Sequence, residues 1–179
     1  MILLLGAPPA LRLWVLDADW MVCSFSGFEL AYSFKNADAT VYSKLFQTWE
    51  DGTKAMSDIE GLQVQLLVQP QPVTNGTNSL GLPAGDKDIV ISVVTALYTN
   101  AADQEAVEKG LHTIVDKHEE IVSEAGLSIP FKYLNYAGKS QDPIGSYGQD
   151  IKERLQAVSK KYDPNGLFQT GVPGGFKLF

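Results

Sequence analysis

The sequence predicts an α+β domain, an antiparallel sheet of about four to six strands with helices packed mainly on one face. Three observations lead there. Apolar and polar residues alternate with a period of two at 28–35 and 62–69, and a β-branched run fills 88–98. Helical periodicity marks 39–51, 103–125 and 147–162. Strands come in runs separated by helices rather than in strict βαβ alternation, which disfavours a Rossmann-like fold; a ferredoxin-like α+β sandwich would also fit.

Taken in order, residues 1–27 stand apart. Trp14, Trp20, Met21, Val22 and Phe25 supply bulk without a clean period, so this stretch reads as an atypical leader, as from a shortened or mis-spliced gene. The alternative is an edge strand around Leu11–Leu16 packed on the sheet. From Phe28, Leu30, Tyr32 and Phe34 alternate with Glu29, Ala31, Ser33 and Lys35, a half-buried strand. Asp38 can cap a helix with Val41, Leu45, Thr48 and Trp49 on one face, and Gly52 can end it. In the next strand Leu62, Val64, Leu66 and Val68 oppose Gln63, Gln65, Leu67 and Gln69. Its three carboxamides form either a solvated sheet face or a pocket wall. Pro70, Pro72, Gly76, Pro83 and Gly85 mark a loop before the strand at 88–98. Asp103 opens the longest helix, whose inner side carries Val107, Leu111, Ile114, Val115, His118 and Val122 and which Gly126 stops. Ser146 and Gln149 have capping-box spacing for a helix with Ile151, Leu155, Val158 and Tyr162 inward.

Composition removes several function classes. A formal charge of −7 argues against nucleic-acid binding, which needs a basic face. The lone Cys23 allows neither an intrachain disulfide nor a cysteine metal site, and reads as a small core residue. His112 and His118 are badly spaced to share a helix face, so no metal pair is expected; His118 reads as a packed or capping histidine. No apolar run has bilayer length, and the first ten residues make a poor signal peptide for want of a basic start. Asn75-Gly76-Thr77 is a glycosylation sequon that matters only in a secreted chain, and the compartment stays open.

The stretch that carries chemistry is Phe131-Lys132-Tyr133-Leu134-Asn135-Tyr136-Ala137. If it is extended, Tyr133 and Asn135 share one face and Tyr136 the other. Downstream lie Gln141-Asp142-Pro143-Ile144, Ser146-Tyr147-Gly148, Lys161-Tyr162-Asp163-Pro164-Asn165-Gly166-Leu167-Phe168 and Pro173-Gly174-Gly175-Phe176-Lys177-Leu178. This series resembles the carboxy-terminal end of berberine-bridge-type FAD-linked oxidoreductases, and most of all their fungal branch. Tyr42–Glu50 and Leu62–Leu66 resemble that branch's substrate domain, so the likeness runs roughly from Glu29 to Leu178.

The resemblance implies the substrate domain of FAD-linked (PCMH-type) oxidases at 28–130 and a berberine-bridge-type segment at 131–179. It implies FAD as cofactor and a sheet that roofs the flavin. Tyr133 and Tyr136 inherit the catalytic role, taking a proton from a substrate hydroxyl as hydride leaves to flavin and then to oxygen. Tyr133 and Asn135 would contact the cofactor, and Gln63 and Gln65 would line the substrate pocket with Tyr133. The substrate is an alcohol, sugar or secondary-metabolite carbon; which phenol faces the flavin stays open. The departure is large, since no Gly-Gly-His segment and no glycine-rich phosphate loop is present. A truncated chain is therefore expected, with the FAD-binding domain or a partner chain docking on exposed apolar surface around Phe131–Tyr136 and the tail. Two other readings remain: a flavin-free binding module or isomerase-like catalyst using tyrosine proton transfer alone, and an incomplete chain without activity.

Overall fold

A computed structural model describes residues 3–5, 26–74 and 78–179. Cys23, the sequon and the stretch 11–16 lie outside them. The fold is α+β. Four antiparallel strands, β1 (Leu3–Leu5), β2 (Ser26–Lys35), β3 (Gln63–Pro70) and β4 (Ile89–Tyr98), are ordered β1-β3-β4-β2. β2 and β3 flank β4, so α1 (Ala39–Lys54) makes a split βαβ crossover; α2 (Gln104–Glu124) follows β4. A single antiparallel bridge from Ser128 to Phe34 on β2 completes a ferredoxin-like succession.

α1 and α2 cover one face. Phe28, Leu30, Tyr32 and Phe34 of β2, Val64 and Leu66 of β3, and Val94, Ala96 and Tyr98 of β4 meet Leu45, Trp49, Val107, Leu111 and Ile114 there. Asp38 caps α1 through Thr40 and Val41 N–H, as its position predicts. Gly52, expected to stop α1, lies inside it. A Cβ at Gly52 would stand 2.3 Å from Ile114 Cγ1, so this glycine is a close-packing point between the helices rather than a terminator.

The opposite face is covered by irregular chain. Ile89 and Ile91 pack under Leu82, Phe131 and Tyr147, with Ile151 and Leu155 of α4 (Gln149–Tyr162) alongside. Between them lies the short α3 (Pro143–Ser146). The capping box does not form. Ser146 Oγ instead accepts from Lys132 N–H at 3.0 Å and donates to the Pro143 carbonyl, leaving Gly148 at φ 94° to open α4. The tail, with α5 (Leu167–Thr170), folds back on α4 through Gln156 to the Leu178 carbonyl and Gln169 to Leu178 N–H.

Candidate functional site

The site is built where the chain leaves α2 and crosses the loop-covered face. Pairing with β2 does not continue past the bridge at Ser128. Phe131 then buries itself, stacked on Tyr147 at 5.6 Å and 26°. The expected extended run gives way to a 3₁₀ turn over Leu134–Tyr136, closed by Tyr136 N–H to the Tyr133 carbonyl at 3.0 Å. That turn overturns the expected division of the two phenols between opposite faces. Tyr133 and Tyr136 meet edge-to-face, with ring centroids 5.1 Å apart.

Polar groups fix the pair asymmetrically. Asn135 Nδ2 donates to Tyr133 Oη at 3.1 Å, whereas Tyr136 Oη donates to Gln69 Oε1 at 3.3 Å on β3. Tyr133 oxygen thus receives a donor while Tyr136 gives its proton away. A third phenol, Tyr147, accepts from Leu134 N–H at 3.2 Å, and burial pushes its hydroxyl above the usual range. It braces the turn from beneath.

The expected apolar exposure is redistributed as well. Phe131 is 4% exposed, sealed by Tyr147 and the β4 isoleucines, whereas Tyr162, Leu167, Phe168 and Phe179 are each more than 60% exposed. Leu134 is 36% exposed, so the turn keeps part of the expected apolar surface while the end of α4 and the tail carry the larger share.

Register orders the face beneath the tyrosines into rows across β2, β4 and β3. Gly27–Leu97–Gln63 comes first, followed by Glu29–Thr95–Gln65, then Ala31–Val93–Leu67 and Ser33–Ile91–Gln69. The structure therefore brings Tyr133, Asn135 and Tyr136 together with Gln69. Gln65 lies two rows from Gln69, about 13 Å along the strand, and the exposed Gln63 about 20 Å away. Register cannot be read from one strand's alternation, so which carboxamide meets the phenols was hidden in the sequence.

Two further residues pin the turn to β2. Gln141 Oε1 accepts from Ala31 N–H at 2.9 Å and its Nε2 donates to the Ala31 carbonyl at 2.7 Å, standing in for a paired strand beyond the Ser128 bridge. Gly138 presses directly on β2: a Cβ there would lie 2.1 Å from the Glu29 carbonyl oxygen. Both contacts are long-range, and no local pattern announces them.

A flavin fits this surface only in part. The phenol pair and the carboxamides suit a flat heteroaromatic ring, which takes stacking and in-plane hydrogen bonds. The pyrophosphate finds no cradle among the described residues. Asp38, Asp142 and Asp163 occupy the amides that open α1, α3 and α5, while Glu105 and Asp150 stand in the first turns of α2 and α4. A helix start attracts phosphate through free amides and its positive dipole end, and a carboxylate cancels both.

No protein-family model matches the chain. It is 38% identical over 157 residues to the FAD-dependent monooxygenase drtC of Aspergillus calidoustus, covering 82% of this chain and 29% of that relative. The FAD-dependent monooxygenase tpcD of Cochliobolus heterostrophus is 39% identical over 105 residues, 59% of this chain and 20% of its own. The bifunctional solanapyrone synthase of Alternaria solani is 35% identical over 130 residues, 69% and 25% respectively. Among solved structures, 6-hydroxy-D-nicotine oxidase from Arthrobacter nicotinovorans aligns with 86% of this chain and 33% of its own, at a TM-score of 0.49 and 18% identity. This chain thus spans less than a third of the length of these curated relatives. Its homologues include fungal FAD-dependent monooxygenases, with part of whose length it shares its sequence.

Proposed function

We propose that this chain forms the substrate side of a berberine-bridge-type FAD-linked oxidoreductase acting on an alcohol, sugar or secondary-metabolite carbon. The observation that supports this reading best is the Tyr133–Asn135–Tyr136 turn seated on the carboxamide face, with Tyr136 hydrogen-bonded to Gln69. In this reading the flavin-binding part comes from outside these residues, because Asp side chains occupy the first amides of α1, α3 and α5 and a carboxylate stands in the first turn of α2 and α4. It docks on the apolar tail around Tyr162, Leu167, Phe168 and Phe179.

Flavin, when bound, supplies the hydride acceptor. The chain's own residues handle the proton and the position. Tyr133 takes the proton of the substrate hydroxyl, since its oxygen already faces the Asn135 donor that a proton-accepting phenol needs. Tyr136 holds the turn on the sheet through Gln69, and its ring keeps Tyr133 in place. Gln65 and Gln63 extend the polar face for the substrate.

The test is to express the chain with the flavin-binding remainder of drtC and follow bleaching of the flavin by candidate alcohols. A yellow complex is expected, with Tyr133→Phe slowing bleaching by about a hundredfold and Tyr136→Phe by much less. A chain that converts such a compound without flavin, or that neither assembles with that remainder nor holds flavin alone, contradicts the proposal.

A further inference from the structure

We infer that Glu29, Thr95 and Gln65 form a hydroxyl-reading subsite beside the tyrosine turn, one that takes neutral, polyhydroxylated ligands and rejects carboxylates. The inference rests on the substrate-side reading above and gives it a substrate class. Glu29 pairs with Thr95 across β2 and β4, and Thr95 pairs with Gln65 across β4 and β3. Directly opposed residues carry their Cβ atoms about 5 Å apart, so the three polar ends form one continuous row. All three are half-buried, and none forms a side-chain hydrogen bond or ion pair with the described residues. On this face Gln69 holds Tyr136 and Gln141 holds Ala31, whereas the Ser33 hydroxyl is buried without a partner among the described residues. The Glu29 row differs from Ser33 in being half-exposed, so its polar ends can be reached by a ligand.

Access and charge point the same way. A cleft of about 370 Å³ opens at the β2 edge between Phe28, Tyr98 and Glu108 on one side and Gly138 and Lys139 on the other; it reaches Glu29, the outer end of the row, and not Thr95 or Gln65. It has the size of a small-molecule site. Lys139 is engaged by Glu108 at 3.0 Å, which leaves the Glu29 carboxylate without a cation partner among the described residues. Burial raises the Glu29 carboxyl above its ordinary range, as expected of a carboxylate with no compensating partner. An incoming carboxylate would meet that charge in a partly desolvated place. An ammonium can donate to Glu29 and to the Thr95 and Gln65 oxygens but, having no acceptor, leaves the Thr95 hydroxyl proton and the Gln65 amide unused, whereas hydroxyls both donate and accept. A neutral polyol or phenol matches all three.

The experiment uses the whole flavin-free chain and three probes: resorcinol, 2,4-dihydroxybenzoate and benzylamine. Binding is followed by NMR through the Glu29 carboxyl carbon and the Gln65 side-chain amide. Resorcinol is expected to move both signals and to bind at least tenfold tighter than 2,4-dihydroxybenzoate. Glu29→Gln should bring the two within about twofold, while Glu29→Asp retains part of the discrimination. Resorcinol that fails to bind, shifts confined to other surfaces, benzylamine tighter than resorcinol, or unchanged discrimination in Glu29→Gln would each overturn the inference. These readouts need no flavin. Failed bleaching with intact resorcinol binding would count against the redox reading alone, and successful bleaching with undiminished selectivity in Glu29→Gln against the subsite alone.

Discussion

The two faces of one sheet are built on different terms. On the helix side, Phe28, Leu30, Tyr32 and Phe34 sit in a closed core whose members are almost wholly buried. On the loop side, Glu29, Ala31 and Ser33 of the same strand meet a cover of single contacts: Phe131 on Tyr147, Gln141 on Ala31, Tyr136 on Gln69. The helix side tolerates polar atoms only by making them inert. His118 is fully buried, its Nε2 donating to the Leu45 carbonyl at 2.8 Å while Nδ1 has no partner. The loop side instead leaves Glu29, Thr95 and Gln65 half-exposed and free. Burial is concentrated on the helix face and the proposed recognition on the other, and β2 contributes to both.

The largest expected effect breaks the helix side. Leu111→Ala, at a fully buried position, should cost about 4 kcal/mol in chemical denaturation. Next comes acid. Burial lowers the His118 pKa from 6.5 to about 4, so between those values the unfolded chain takes up a proton that the folded chain refuses. Stability from this group is constant above pH 6.5 and falls as pH drops, by about 3 kcal/mol at pH 4. Denaturation curves across that range should show the slope, and His118→Gln should flatten it.

On the loop side the effects should be smaller and local. Gly138→Ala forces a methyl onto the Glu29 carbonyl and should cost about 2 kcal/mol, read as faster amide exchange around 134–141. Tyr136→Phe removes one half-buried hydrogen bond to Gln69 and should cost about 1 kcal/mol. Glu29→Gln should melt no lower than the natural chain at neutral pH, since it removes a charge that no partner compensates. If instead the loop-side changes cost as much as Leu111→Ala, the contrast between the faces is lost.

The helix side was legible because it follows from period alone. Phe28 to Phe34, the β-branched run from Ile89 and the stripe from Val107 to Val122 each announce one buried face. Even the buried place of His118 could be read from its position on that stripe. The loop side was not legible, because its contacts join distant residues. The alternation Tyr133-Leu134-Asn135-Tyr136 imitates a strand, yet the pairing stops at Ser128 and Gln141, 110 residues from Ala31, holds the edge. Gly52 reads as a helix stop, whereas it admits a neighbouring helix; Gly138 admits a strand backbone. The Glu29 row exists only through the register of three strands.

The central proposal is that the described residues offer a surface for the ring of a flavin and none for its phosphates. Fluorescence titration of the whole chain with lumiflavin and with FAD addresses it most directly. Lumiflavin should be quenched with an affinity no weaker than FAD, and Tyr133→Phe with Tyr136→Phe should not make FAD the better ligand. FAD binding tenfold or more tighter than lumiflavin would place a phosphate cradle in this chain and contradict the account.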